Sequence, residues 1–155
     1  MIIMEKWRSV KNYENSYQVS NLGRVRSLDR YVKNGKTGYN RKGKILKPST
    51  HLNGYLFIRL SENSVYKYFS VHRLVALTFI KNNVAFLDVN HKDGNKSNNI
   101  VSNLEWCTRS ENIEHAFENG LMNRDSISVA IRCINLKTKQ QMYFKSMREA
   151  ERNGF

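Results

Sequence analysis

The stretch Val89-Asn90-His91-Lys92-Asp93-Gly94-Asn95-Lys96-Ser97-Asn98-Asn99 organises the chain, followed by Ser102-Asn103-Leu104-Glu105-Trp106-Cys107-Thr108 and Ser110-Glu111-Asn112. Phe86–Asn90 reads as a strand and Leu104–Thr108 as a second one. The run from His91 to Asn103, rich in Asn and Gly, reads as the loop between them. Thr108-Arg109-Ser110-Glu111 is a capping box, in which hydroxyl and carboxylate each satisfy a free N–H of the first turn, so a helix starts there. It runs to Asn119, and Gly120 stops it. The order is therefore strand, long loop, strand, helix.

Upstream, residues 7–28 read as a small β unit, with Tyr17, Val19, Val25 and Leu28 around a turn at Ser20-Asn21-Leu22-Gly23. Residues 29–44 carry Lys33, Lys36, Arg41, Lys42 and Lys44 among glycines and read as a basic loop. Residues 45–71 read as two or three strands, with turns at Asn53-Gly54 and near Glu62-Asn63-Ser64. Ser70 is placed to cap a helix from Val71 to about Ile80 that buries Leu74, Val75 and Leu77. Downstream, Val129–Leu136 and Gln141–Phe144 read as a hairpin, and Ser146-Met147-Arg148-Glu149 opens a last helix that Asn153-Gly154 ends. The class is α+β.

Charge points to the partner. The 155 residues hold 26 Lys+Arg against 13 Asp+Glu, a net charge of +13, and 40% hydrophobic residues are enough for a core. Lys and Arg that neutralise phosphates release counterions, so a polyanion is the expected ligand. Residues 1–60 carry 13 basic and 3 acidic side chains, whereas residues 61–125 carry 7 and 8. A neutral centre between basic flanks suits a divalent cation, which needs oxygen ligands and little competing positive charge. No run of 18 apolar residues spans a membrane, the N-terminus lacks a long apolar stretch, and Cys107 and Cys133 have no metal-type spacing. A cytoplasmic monomer with no membrane partner is expected. Of the 19 asparagines, six fall between positions 90 and 112, more than turn chemistry alone requires.

The block from His91 to Asn112, with Asn90 before it, resembles the HNH endonuclease motif in the branch found in phage and intron-encoded homing endonucleases. Tyr17-Gln18-Val19-Ser20-Asn21 with Gly23-Arg24-Val25-Arg26-Ser27-Leu28 resembles the N-terminal DNA-binding module of those enzymes. His72-Arg73-Leu74-Val75-Ala76 fits the helix before the motif, and Phe144–Ala150 resembles the start of their C-terminal helix-turn-helix modules.

The resemblance implies a ββα-metal unit and metal-dependent cleavage of double-stranded DNA. His91 is then the general base, since a neutral imidazole accepts a proton from water at physiological pH. Asn90 and Asn112 offer carbonyl oxygens to one divalent ion, Mg²⁺ or Mn²⁺. Asn103, the middle Asn of the motif, bonds the loop backbone and holds His91 in place. Family members often carry Asp where Asn90 stands, so the scissile phosphate would supply much of the charge. Asp93 is assigned to the turn, His72 to the structure and Trp106 to the core. Arg24 and Arg26, two apart and so on one strand face, are the expected phosphate contacts with Lys42 and Lys44.

The implied organisation is a DNA-binding module at 1–48, the nuclease unit at 49–124 and a partial DNA-binding module at 125–155. The last segment is expected to pack weakly, end frayed and add little sequence specificity. The alternative function is a catalytically inactive DNA-binding relic of such a nuclease.

Overall fold

The computed structural model describes residues 4–62, 65–82, 87–122 and 129–155. They fall into two compact units, Met1–Ile113 and Glu114–Phe155. In the first, β1 (Trp7–Ser9), β2 (Tyr17–Ser20) and β3 (Val25–Ser27) form an antiparallel meander. Tyr17, Val19 and Val25 alternate inward and are buried. The turn between β2 and β3 is fixed by Ser20, whose hydroxyl oxygen accepts from the N–H of Leu22 (3.3 Å) and of Arg24 (3.1 Å). Gly23 there has φ +79°, a left-handed conformation that glycine adopts at little cost.

Residues 29–44 are not a loop. β4 (Arg30–Asn34) and β5 (Thr37–Arg41) pair as a hairpin before β6 (Ile45–Leu46) returns to pair with β3. The hairpin is exposed on most of both faces, so it has no apolar alternation to betray it in the sequence. Gly35 takes φ +62° at its tip, and the Tyr31 ring lies over the space a side chain would occupy at Gly38.

β7 (Ser49–Thr50), β8 (Leu56–Glu62) and β9 (Val65–Ser70) make a second sheet, whose β8 buries Ile58 and Leu60. The Asn63-Ser64 part of the expected turn lies outside the described residues. The Tyr17 hydroxyl ties the two sheets together, accepting from the Ser61 N–H at 3.2 Å and from Arg30 Nη2 at 3.2 Å. Helix α1 (Val71–Phe79) follows β9 directly and buries Val71, Leu74, Val75 and Ala76. Two expectations fail here. Ser70 stands at the cap position but its side chain makes no cap hydrogen bond. Leu77 is exposed, because at about 100° per residue it falls on the far side of the stripe centred on Val75.

β10 (Asp88–His91) and β11 (Leu104–Cys107) form the next hairpin, in the register Asp88↔Cys107, Val89↔Trp106, Asn90↔Glu105 and His91↔Leu104. Phe86, expected to begin this strand, lies outside the described residues. A 3₁₀ turn at Val101–Asn103 leads into β11, and α2 (Arg109–Glu118) leaves it. The capping box forms: the Thr108 N–H donates to Glu111 at 2.7 Å, and the Glu111 N–H donates to the Thr108 hydroxyl at 3.2 Å. Val19, Leu60, Val75, Val89 and Leu104 belong to one hydrophobic core, so the N-terminal sheet, the second sheet, α1 and the β10–β11 hairpin pack as one body.

The second unit holds a hairpin of β12 (Ile131–Ile134) and β13 (Gln141–Phe144), then α3 (Met147–Arg152). Its end is not frayed. Ser146 caps α3 by accepting from the Glu149 N–H at 3.2 Å. Beyond the helix, Gly154 is left-handed (φ +81°) and donates to the Glu151 carbonyl, while the Phe155 N–H donates to that of Ala150. These are the two closing bonds of a Schellman motif. The Phe155 ring then packs on Phe144, 5.4 Å between centroids. The helices and sheets together make the α+β class that the sequence implies.

Candidate active site

Consecutive strand residues point to opposite faces, and β10 uses this to separate Asn90 from His91. Asn90 lies on the Glu105 face, where its Nδ2 donates to Glu105 Oε1 at 3.0 Å. That bond fixes the amide, and Asn90 Oδ1 accepts no hydrogen bond among the described residues. Glu105 Oε2 lies 4.0 Å from Lys92 Nζ. Asp88, two residues before Asn90 on the same face, pairs with Arg109 at 3.8 Å and so ties the strand to the start of α2. Asn112 sits in that first turn, half-buried, its N–H bonded to the Thr108 carbonyl.

His91 lies on the core-facing side, 4% exposed. Its Nε2 is 3.0 Å from Asn99 Oδ1. Its ring meets His72 at 5.2 Å and Tyr55 at 5.8 Å, and those two rings stack 4.8 Å apart. Burial pushes the His91 pKa below the ordinary histidine value, opposed by the Asn99 bond and by the Asp93 charge. Burial also lowers His72 to about 4. His72 Nδ1 is sealed without a partner, whereas His91 Nδ1 takes no hydrogen bond among the described residues and is not sealed in that way.

Asn103 and Asp93 lock the intervening loop. Asn103 Nδ2 donates to Asp93 Oδ1 at 2.8 Å and to the Asn98 carbonyl at 2.9 Å, while its own Oδ1 accepts from the Asp93 N–H at 3.1 Å. The Asn103 carbonyl also accepts from the Lys92 N–H at 2.9 Å. Asn103 therefore bonds loop backbone, and its hold on His91 runs through the strand rather than the ring. The side chain that hydrogen-bonds the ring is Asn99, which looks like turn filling in the sequence. Glu105 is the other residue sequence reasoning passes over. Only the strand register puts it opposite Asn90.

The expected DNA contacts divide. Arg24 is ion-paired with Glu5, and its guanidinium lies 5.7 Å from the Trp7 ring centre. Arg26 lies 4.3 Å from the same ring and makes two bonds to Gln18 Oε1, of 2.9 and 2.6 Å. Both arginines thus stack on one tryptophan. Lys42 sits 3.0 Å from Asp29 in an exposed pair. The Lys44 N–H donates to the Ser27 hydroxyl at 3.0 Å.

Residues 5–61 match the NUMOD4 motif and residues 70–113 match the HNH endonuclease family, a span that includes Asn90, His91, Asn103 and Asn112. The solved structure of the HNH homing endonuclease I-HmuI superposes with a TM-score of 0.62 at 32% identity, over 96% of this chain and 83% of that one. The chain belongs to the HNH endonuclease family. The DNA endonuclease I-HmuI of Bacillus phage SP01 is 42% identical over 76% of this chain and 61% of its own length. The uncharacterized HNH endonuclease L245 of Acanthamoeba polyphaga mimivirus is 43% identical over 77% of this chain, but over 32% of its own length. The chain thus spans less than two thirds of the full length of these two sequence relatives.

Proposed function

We propose that this chain hydrolyses phosphodiester bonds in double-stranded DNA, with His91 as general base and one divalent cation, Mg²⁺ or Mn²⁺, held by side-chain oxygens. The observation that carries this reading is the split of Asn90 and His91 to opposite faces of one strand, which keeps the cation's oxygen donors apart from the proton acceptor. Among the described residues no three His, Cys, Asp or Glu side chains cluster as metal ligands. We assign the cation instead to hard oxygen donors: the Oδ1 of Asn90, which accepts no hydrogen bond among the described residues, with the amide of Asn112 and the carboxylate of Glu105. That set fits Mg²⁺ or Mn²⁺ and not a soft metal. Two amides bring no formal charge, and Glu105 supplies the negative charge that Asn in place of Asp removes. When bound, the cation would stabilise charge on the phosphate and the leaving oxygen.

The protein's own residues do the rest. Burial lowers the His91 pKa and so favours the neutral ring, whose Nδ1 takes no hydrogen bond among the described residues and would take the proton from water. Asp93 and Asn103 hold the loop that frames it. The capping box of Thr108 and Glu111 fixes the turn that presents Asn112.

The test is cleavage of supercoiled plasmid and duplex fragments with Mg²⁺ or Mn²⁺. His91→Ala should lower the rate by about 10²–10⁴-fold and leave DNA binding in place. The second reading, a DNA-binding relic, is favoured by the amide at position 90. It requires the wild-type chain to bind duplex and cut no substrate with either metal.

A further inference from the structure

We infer that Asn99 is a positioning residue for His91, holding the ring with its proton on Nε2 so that Nδ1 is the basic nitrogen, and that the Ser20–Arg24 turn of the N-terminal sheet holds Asn99 in place. The inference rests on the reading of His91 as the base. Asn99 is 4% exposed, so its polar atoms must be satisfied within the protein. Its Nδ2 lies 3.3 Å from the Ser97 carbonyl. A carbonyl only accepts, so the Nδ2 end faces Ser97 and the Oδ1 end faces His91, 3.0 Å from Nε2. An amide oxygen also only accepts. His91 Nε2 must therefore carry a hydrogen, and in the neutral ring Nδ1 is left with its lone pair. One buried asparagine thus selects both the tautomer and the orientation of the ring.

Asn99 is in turn clamped from outside the nuclease motif. A Cβ at Gly23 would stand 2.8 Å from Asn99 Cβ and 2.9 Å from its carbonyl oxygen, so the turn backbone lies directly against Asn99. Two residues on, the Val101 N–H donates to the Asn21 carbonyl at 2.9 Å. The β2–β3 turn therefore grips the loop on both sides of Ile100. The N-terminal sheet contributes to the geometry of the proton acceptor as well as lying within the NUMOD4 match.

The full chain with ¹⁵N-labelled histidine, at about pH 8 where an imidazole of lowered pKa is neutral, tests this by ¹⁵N chemical shifts. His91→Gln assigns the His91 signals. The expected pattern is protonated Nε2 and unprotonated Nδ1. The reverse pattern in the wild type overturns the inference, and it needs neither a variant nor any cleavage. Asn99→Ala should mix the two tautomers and lower kcat by at least about tenfold, with KM and duplex affinity unchanged within about twofold. Asn99→Asp keeps an acceptor and should restore the tautomer and most of the rate. A folded Asn99→Ala protein with wild-type tautomer and kcat overturns the inference. A wild-type chain that shows the expected tautomer and cuts no DNA upholds the Asn99 assignment and removes only the hydrolase reading.

Discussion

Asn90 and Glu105 face each other directly across β10 and β11, joined by a 3.0 Å hydrogen bond from amide to carboxylate. The bond turns the Asn90 oxygen away from the acid and puts a carboxylate beside the proposed cation site, whose other proposed donors are amides. Lys92, 4.0 Å from the far carboxylate oxygen, is the cation that a metal would have to displace from that charge.

Glu105→Gln should therefore weaken Mn²⁺ binding about tenfold, equivalent to about 1.4 kcal/mol. Calorimetric titration of Mn²⁺ into the protein reads this directly. Asn90→Asp should tighten Mn²⁺ binding while lowering the melting temperature of the metal-free protein, because two carboxylates then face each other across the strands. Unchanged Mn²⁺ affinity in Glu105→Gln would leave Glu105 as a partner of Asn90 alone.

His72 makes stability depend on pH. Burial, with smaller contributions from His91 and Arg73, lowers its pKa to about 4 from an ordinary value near 6.5. The unfolded chain then takes up a proton at His72 below about pH 6.5, while the folded chain does so only below about pH 4. The stabilisation is fully present above the higher value and declines as pH falls between the two, by on the order of 3 kcal/mol at most. Urea unfolding at about pH 7 and pH 4.5 measures the loss. His72→Phe should reduce the difference between the two conditions, and an undiminished difference would assign the acid sensitivity to other groups.

The sequence makes the ββα order, the Thr108–Glu111 capping box, the Ser146 cap and the two Gly stops legible because each depends on local chemistry. Thr108 and Glu111 meet within one turn, and Gly154 needs only its own freedom at positive φ. What it hides depends on register and packing. The β4–β5 hairpin lacks apolar alternation because both its faces are wet. Glu105 gains its place from a strand pairing that the loop from Lys92 to Asn103 does not specify. Asn99 reads as one of several turn asparagines until burial and the Ser97 carbonyl orient its amide. His91, Asn90, Asn103 and Asn112 are visible as a spacing, but only the three-dimensional structure shows that Asn99, and not Asn103, hydrogen-bonds the His91 ring.

Gly23→Ala tests how tightly the N-terminal turn grips the loop. The substitution meets two costs: a side chain at φ +79°, and a methyl 2.8 Å from Asn99 Cβ where no ordinary contact is that short. The first is worth about 1 kcal/mol and overpacking adds about 1–3. A fall in melting temperature of several degrees is expected from thermal unfolding. Gly35→Ala is the control, because its φ is also positive and nothing lies within 4 Å of the added carbon. Equal losses in the two variants would mean that Gly23 matters for its backbone alone.

DNA affinity should weaken steeply with salt, and the arginines on Trp7 should account for part of the slope. Each phosphate neutralised contributes about 0.9 to the dependence of log K on log salt. Arg24→Gln with Arg26→Gln should therefore flatten the slope by about 2, read by fluorescence anisotropy on a labelled duplex across a salt series. Arg24 is held by Glu5, so engaging a phosphate means giving up or sharing that carboxylate. Glu5→Gln removes the competitor and should raise duplex affinity in the wild-type background but not in the double arginine variant. Lys42 meets its partner Asp29 in an exposed pair of the kind worth at most about 1 kcal/mol, so it is released at little cost. Replacing Lys42 and Lys44 by Ala should flatten the slope again. A slope equal to wild type in the arginine variant would place Arg24 and Arg26 outside the interface, with the Trp7 stack serving only to brace the sheet.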